Sequence, residues 1–140
     1  MWQCLHTGII FGPPVAMGRP RMTKQGRAYT PAKSREYMNN AIDQITDHWG
    51  NKPQLANEPL RVHLVFVHKR PKRITATERV PKTTKPDIDN LIKMVLDALT
   101  KSEIWTDDNI VTEICATDWY ANEYEQPHVM YSIYTKQPPF

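Results

Sequence analysis

Apolar residues recur along this chain in two rhythms. In LHTGIIF (5–11) and LRVHLVFV (60–67), β-branched and apolar residues crowd together, which predicts strands, the second well buried. Tyr37, Met38, Ala41, Ile42, Ile45 and Trp49 instead return every three or four positions and predict an amphipathic helix. Thr30 supplies an N-cap and Pro31 a proline at the first helical position, while Gly50 and Pro53 end the pattern. Ile88, Leu91, Ile92, Val95 and Leu99 predict a second helix starting near Asp87. NIVTEICATDWY (109–120) and HVMYSIY (128–134) predict two closing strands, and the short polar link ANEYEQP predicts that they pair as an antiparallel hairpin. The predicted order is β-α-β-α-β-β, an α+β fold with a small single-layer sheet and two helices.

Two stretches break these rhythms. Residues 12–29 and 68–86 are punctuated by proline and crowded with Lys and Arg, which predicts long basic loops. The 140 residues suit one domain spanning 1–140. No apolar run approaches the ~20 residues of a membrane span, so no membrane partner is expected. The start, MWQCLHTGII, lacks the pattern of a secretion signal. Two cysteines make no disulfide framework, and a cytoplasmic setting is expected.

The net charge of +3 hides a strong polarity. Residues 1–85 carry 15 Lys/Arg and 5 Asp/Glu, whereas residues 86–140 carry 3 and 10. Segments 19–35 and 69–85 hold 13 of the 18 basic residues and only one acid, Glu78. Such asymmetry points to a polyanionic partner. Arg19, Arg21, Lys24, Arg27, Lys69, Arg70, Lys72, Arg73, Lys82 and Lys85 are the expected phosphate contacts.

Against that basic background, KPDIDNLIKMVLDALTKSEIWTDDN (85–109) gathers Asp87, Asp89, Asp97, Asp107 and Asp108. Each has an ordinary explanation. Asp87 fits a helix cap, and Asp89 suits the first turn of a helix dipole. Asp107-Asp108-Asn109 fits a turn, and Asp97 a surface or packing position. Lys93 follows Asp89 by four residues, the spacing of an exposed ion pair worth about 0.3–0.5 kcal/mol. Taken together, they raise a second possibility. The helix between the two pairs is about 20 Å long, so the acids meet only if the connection 100–106 brings the chain back toward the helix start.

Converging carboxylates repel one another until a proton or a cation intervenes. Their hard oxygens suit Mg²⁺, with Mn²⁺ as a substitute, and no Cys or His spacing accompanies them to favour zinc. Carboxylate-held Mg²⁺ beside a basic surface is the arrangement that phosphodiester hydrolysis needs. Lys93, facing such a site, would offset transition-state charge. A lone D-x-D also occurs in aspartyl phosphatases and nucleotide-sugar transferases. The former need a hydrophobic strand where this chain has KTTKP, and the latter a larger fold.

The segment KPDIDNLIKMVLDALTKSEIWTDDNIV closely resembles the core motif of the RusA family of Holliday-junction resolvases: D-x-D-N-x-x-K on a helix, then an aromatic residue before D-D. GRPRMTKQGRAYTPAKSREY resembles the family's basic leading segment, except that Met17 stands where many members have Lys. The resemblance places the family's catalytic and metal-binding aspartates on Asp87, Asp89 and Asp108, its functional lysine on Lys93, and a neighbouring acid of open role, a further candidate metal ligand, on Asp107. It implies a homodimer in a bacterial or phage-infected cell, with two Mg²⁺-dependent sites that nick opposed strands of a four-way DNA junction. Alternatives are a nuclease for other branched DNA, or a DNA-binding module without catalysis. The presence of all three aspartates and the lysine argues against the latter. The five histidines show no ligand spacing, with His63 read as a packed strand residue. Tyr29 and Tyr37 flank the first basic loop, where base stacking competes with packing roles.

Overall fold

The structure, a computed structural model, describes residues 1–136. Strand β1 (Gln3–Phe11) is followed by a two-residue ribbon, β2 (Arg21–Met22) with β3 (Ala28–Tyr29), and by helix α1 (Ala32–Trp49). Strand β4 (Leu60–His68), the short β5 (Val80–Pro81) and helix α2 (Ile88–Lys101) come next. A 3₁₀ turn at Asp108–Ile110 leads into β6 (Val111–Tyr120), and β7 (His128–Thr135) ends the fold. The α+β class and the major element order match the pattern of the sequence.

The main sheet runs β1-β7-β4-β6-β5. β4 is parallel to β6 and antiparallel to β7. The hairpin predicted for the last two strands therefore does not form, because β4 lies between them. β4 is the most apolar strand, and Leu60, Val62, Leu64 and Phe66 are 0–1 % exposed. Burying each such side chain contributes about 1.5–3 kcal/mol, which favours the central position, with a neighbour on either side. The polar link 121–127 has only to cross two strand spacings, roughly 10 Å.

α1 and α2 pack on one face of the sheet over Ile10, Leu64, Tyr131 and Ile133. Pro31 takes the N-cap position of α1, so the helix starts one residue later than predicted, and Thr30 does not cap it. Gly50 ends that helix at φ 64, a conformation that suits glycine. Gly8 is required for a different reason: a Cβ there would lie 2.4 Å from the Tyr131 ring. Tyr37 is buried in the core, which settles its packing role, and His63 stacks on Tyr134. No helix among the described residues is long and apolar enough to cross a membrane.

Candidate active site and nucleic-acid surface

The parallel pair β4–β6 fixes where the acids lie. Joining two parallel strands requires a crossover, and α2 is that crossover. It starts beyond the C-terminal end of β4 and returns the chain to the N-terminal end, where Leu60 pairs with Val111.

Asp87 and Asp89 occupy the first end. Asp87 sits at the N-cap of α2, yet its carboxylate accepts no capping hydrogen bond. It remains exposed beside a groove of about 510 Å³ between Pro81–Thr84 and Thr117–Trp119. Asp89 accepts from the Asn90 amide at 3.0 Å. Lys93 is exposed one turn on, and the two do not form the expected ion pair.

A buried network holds the approach to Asp87. The His68 ring donates through Nε2 to Asp118 Oδ1 at 2.6 Å, since a carboxylate can only accept. Lys82, whose side chain is 4 % exposed, lies 3.9 Å from Asp118 Oδ2. Its ammonium donates to the Thr84 and Pro86 carbonyls at 2.6 and 3.3 Å. Lys82 was expected among the phosphate contacts and instead points inward, because these carbonyls and Asp118 take up its charge. Nothing in the sequence marked Asp118 as the reason.

Asp107 and Asp108 occupy the other end. Trp105 is fully buried and donates through Nε1 to Thr100 Oγ1 at 2.7 Å, and Leu55 N donates to the Ile104 carbonyl at 2.8 Å. These anchors keep the 102–107 connection beside the C-terminal half of α2. Asp107 caps the 3₁₀ turn by accepting from Asn109 N at 3.0 Å, which is a structural role for this acid. Asp108 is half-buried, and its carboxyl is raised above the ordinary range, first by burial, then by a hydrogen bond and charge from Asp107 and by charge from Asp97. The sequence had left Asp97 as an ordinary residue. Its spacing, four residues from Lys93 and eight from Asp89, was the available signal that the three share one helix row.

The connection 100–106 does not bring the chain back to the helix start. Asp97 lies eight residues from Asp89, about 12 Å along the helix, and Asp108 sits with Asp97. No three His, Cys, Asp or Glu among the described residues lie close enough to share a metal ion. The donors have the oxygen chemistry that Mg²⁺ prefers, but one chain divides them between the two ends of α2.

Both basic loops border the Asp87 end. Met17 N donates to the Asn90 carbonyl at 3.1 Å and ties the first loop to the first turn of α2. Arg19 and Arg21 line a groove of about 490 Å³ that reaches Pro86. Arg19, Arg21, Lys24, Arg27, Lys69, Lys72, Arg73 and Lys85 are exposed. Arg70 is turned into its own loop, where it donates to the Ile74, Glu78 and Ala121 carbonyls at 3.1–3.4 Å. Arg79 clamps Glu125 through Nε at 2.8 Å and holds that carboxyl down at about 2.

Comparison with known proteins adds two findings. The family model described as endodeoxyribonuclease RusA matches residues 12–132. The chain is also 28 % identical over 127 residues to the uncharacterized protein YqaN of Bacillus subtilis, covering 81 % of this chain and 87 % of the relative.

Proposed function

Because the chain belongs to the RusA endodeoxyribonuclease family, whose members resolve Holliday junctions, we propose that it cuts four-way DNA junctions by paired, symmetric nicks on opposed strands. The observation that carries this reading is the uncapped Asp87 carboxylate, next to Asp89 and Lys93, at the end of α2 that both basic loops border. A polyanion drawn to Arg19, Arg21 and Lys85 arrives beside these carboxylates.

The proposed ion is Mg²⁺, with Mn²⁺ as a substitute, and the proposed ligands are Asp87, Asp89 and Asp108. Lys93 serves this chemistry by placing a positive charge where the phosphate oxygens gain negative charge. The exposed lysines and arginines hold the DNA backbone by counterion release and carry no sequence information. Asp107 keeps the Asp108 turn in shape rather than meeting DNA.

The working unit of this proposal is a homodimer. A four-way junction has two opposed strands to cut, and a two-fold dimer presents the same patch twice. The test is incubation of labelled four-way junction, flap and plain duplex with and without Mg²⁺. Junction-selective cleavage that requires Mg²⁺ is expected, and a supercoiled cruciform plasmid should become linear without accumulating open circles. Equal cleavage of flap and junction would move the substrate to branched DNA in general. Binding without any cleavage would leave a DNA-binding module.

A further inference from the structure

Lys82 breaks a local rule. Lysine is rarely buried unless it is paired, yet this side chain is 4 % exposed while Lys69, Lys72, Arg73 and Lys85 of the same loop are exposed. An ammonium carries three donors. Lys82 donates to the Thr84 and Pro86 carbonyls at 2.6 and 3.3 Å, and its Nζ lies 3.9 Å from Asp118 Oδ2. At that length the contact with Asp118 is one of charge rather than a hydrogen bond. The other carboxylate oxygen of Asp118 accepts from the His68 ring at 2.6 Å, which fixes how Oδ2 faces the lysine. Asp118 pairs with Phe66 in the ladder, so it stands on the helix side of the sheet, and it lines the same groove as Asp87. The backbone repeats the tie, since Lys82 N donates to the Asp118 carbonyl at 3.0 Å.

This arrangement is poorly suited to stability alone. Taking a cation out of water is costly, and well-packed apolar residues commonly stabilise a fold as well or better. An apolar side chain cannot hold two backbone carbonyls at one point, however. The Pro86 carbonyl and the Asp87 nitrogen share one planar peptide, so the ammonium fixes the plane from which Asp87 departs. Asp87 depends on such an outside hold. Its carboxylate makes no capping bond, and its own carbonyl is tied to Leu91 N only at 3.3 Å.

We propose that Lys82 is a positioning residue of the cleavage site: its ammonium, held in turn by Asp118 and His68, sets the direction of the Asp87 carboxylate and touches neither the metal ion nor the DNA. The same contact occupies Asp118, the second carboxylate lining this groove, so that of the two only Asp87 is offered to a cation. This rests on the nuclease reading for the task of Asp87, and the buried network supplies the means.

The experiment compares Lys82→Met, the double variant Lys82→Met/Asp118→Asn, and Val62→Ala, a truncation in the buried core of β4 that lowers melting without approaching the groove. All are assayed at a temperature where each is folded. Single-turnover junction cleavage should fall about 10–100-fold in Lys82→Met, and the Mg²⁺ concentration needed to raise its melting temperature should increase by a similar factor. Val62→Ala should keep wild-type cleavage. The double variant, which removes the unpaired buried charge, should melt higher than Lys82→Met and still cut as slowly. Metal-free junction binding should show the wild-type salt slope in all three. Cleavage in Lys82→Met no lower than in Val62→Ala, or restored in the double variant, would overturn the positioning role. A salt slope flattened by about 1 in Lys82→Met would make it a phosphate contact instead. If wild type does not cut, the nuclease reading fails, and hydrogen exchange of the Leu91 amide still decides the hold on Asp87. That amide should exchange faster in Lys82→Met than in Val62→Ala, and equal rates would defeat the proposal.

Discussion

The guanidinium of Arg70 donates to the carbonyl of Ala121 at 3.1 Å and so ties the second basic loop to the connection between β6 and β7. With its bonds to Ile74 and Glu78, this one side chain braces a loop that the sequence assigned to DNA. Arg70→Ala should therefore lower thermal stability, by about 1–3 kcal/mol on the scale of hydrogen bonds from charged donors. Lys69→Gln and Lys72→Gln, both exposed, should leave melting unchanged. If about six phosphates are contacted, log K should fall against log[salt] with a slope of roughly −5, and each lysine removed from the contact set should flatten it by about 1. Melting curves and junction binding across a salt series separate the two roles. A wild-type slope near −1 would show that these loops serve another purpose.

Asp87→Asn, Asp89→Asn and Asp108→Asn each preserve shape and remove one negative charge. Single-turnover junction cleavage should drop about a thousandfold, or ~4 kcal/mol, while junction affinity holds or tightens in the absence of metal. Mg²⁺ at ~100 times its dissociation constant should add about 2.7 kcal/mol of stability to wild type and markedly less to each variant. Retained cleavage in all three would remove the metal-nuclease mechanism.

Asp97 contributes to the raised carboxyl of Asp108. Asp97→Asn should let Asp108 ionise at lower pH in the metal-free chain, as read from the NMR titration of its carboxyl carbon. A group with a raised folded-state pKa binds protons more readily folded than unfolded, so Asp108 costs stability as pH rises above its ordinary range. Relieving it should raise the neutral-pH melting temperature of the metal-free chain. An unchanged Asp108 titration would show that burial and Asp107 raise it without Asp97.

His6 is buried against Trp49 and Tyr131, and its pKa is lowered to about 4, chiefly by burial and then by the charges of Lys52 and His48. The folded chain keeps this ring neutral in a range where the unfolded chain protonates it. Its contribution is complete above pH 6.5 and is lost as pH falls through the window down to about 4, for a total on the order of 3 kcal/mol. Melting temperature followed from pH 7 to 4 should fall in wild type and flatten in His6→Gln. A parallel fall in both would assign the acid loss to other groups.

Much of this molecule was legible in the order of its residues. The spacing of Tyr37 through Trp49 and of Ile88 through Leu99 marked both helices, because a helix buries one side every three to four residues. The run LRVHLVFV announced a buried strand through its composition. The motif around Asp87, Asp89, Lys93 and Asp108 carried the family. The hairpin failed because strand neighbours are chosen by where the most apolar strand must lie, and a loop of seven polar residues reaches across β4 as easily as it turns. Lys82 and Arg70 turn toward protein carbonyls, a direction that composition could not show because it counts charges without their orientation.

The sequence by itself determined the elements, the α+β class, the family and the residues of its motif, since each depends on local spacing or on matching residue types. Only the tertiary structure decided where those residues stand. The parallel pairing of β4 with β6 makes α2 a crossover, and a crossover necessarily delivers its two ends to opposite ends of the strands it joins. Asp87 and Asp108 are thereby held apart in one chain by the length of a helix, a separation that no reading of residues 85–111 as a linear motif contains.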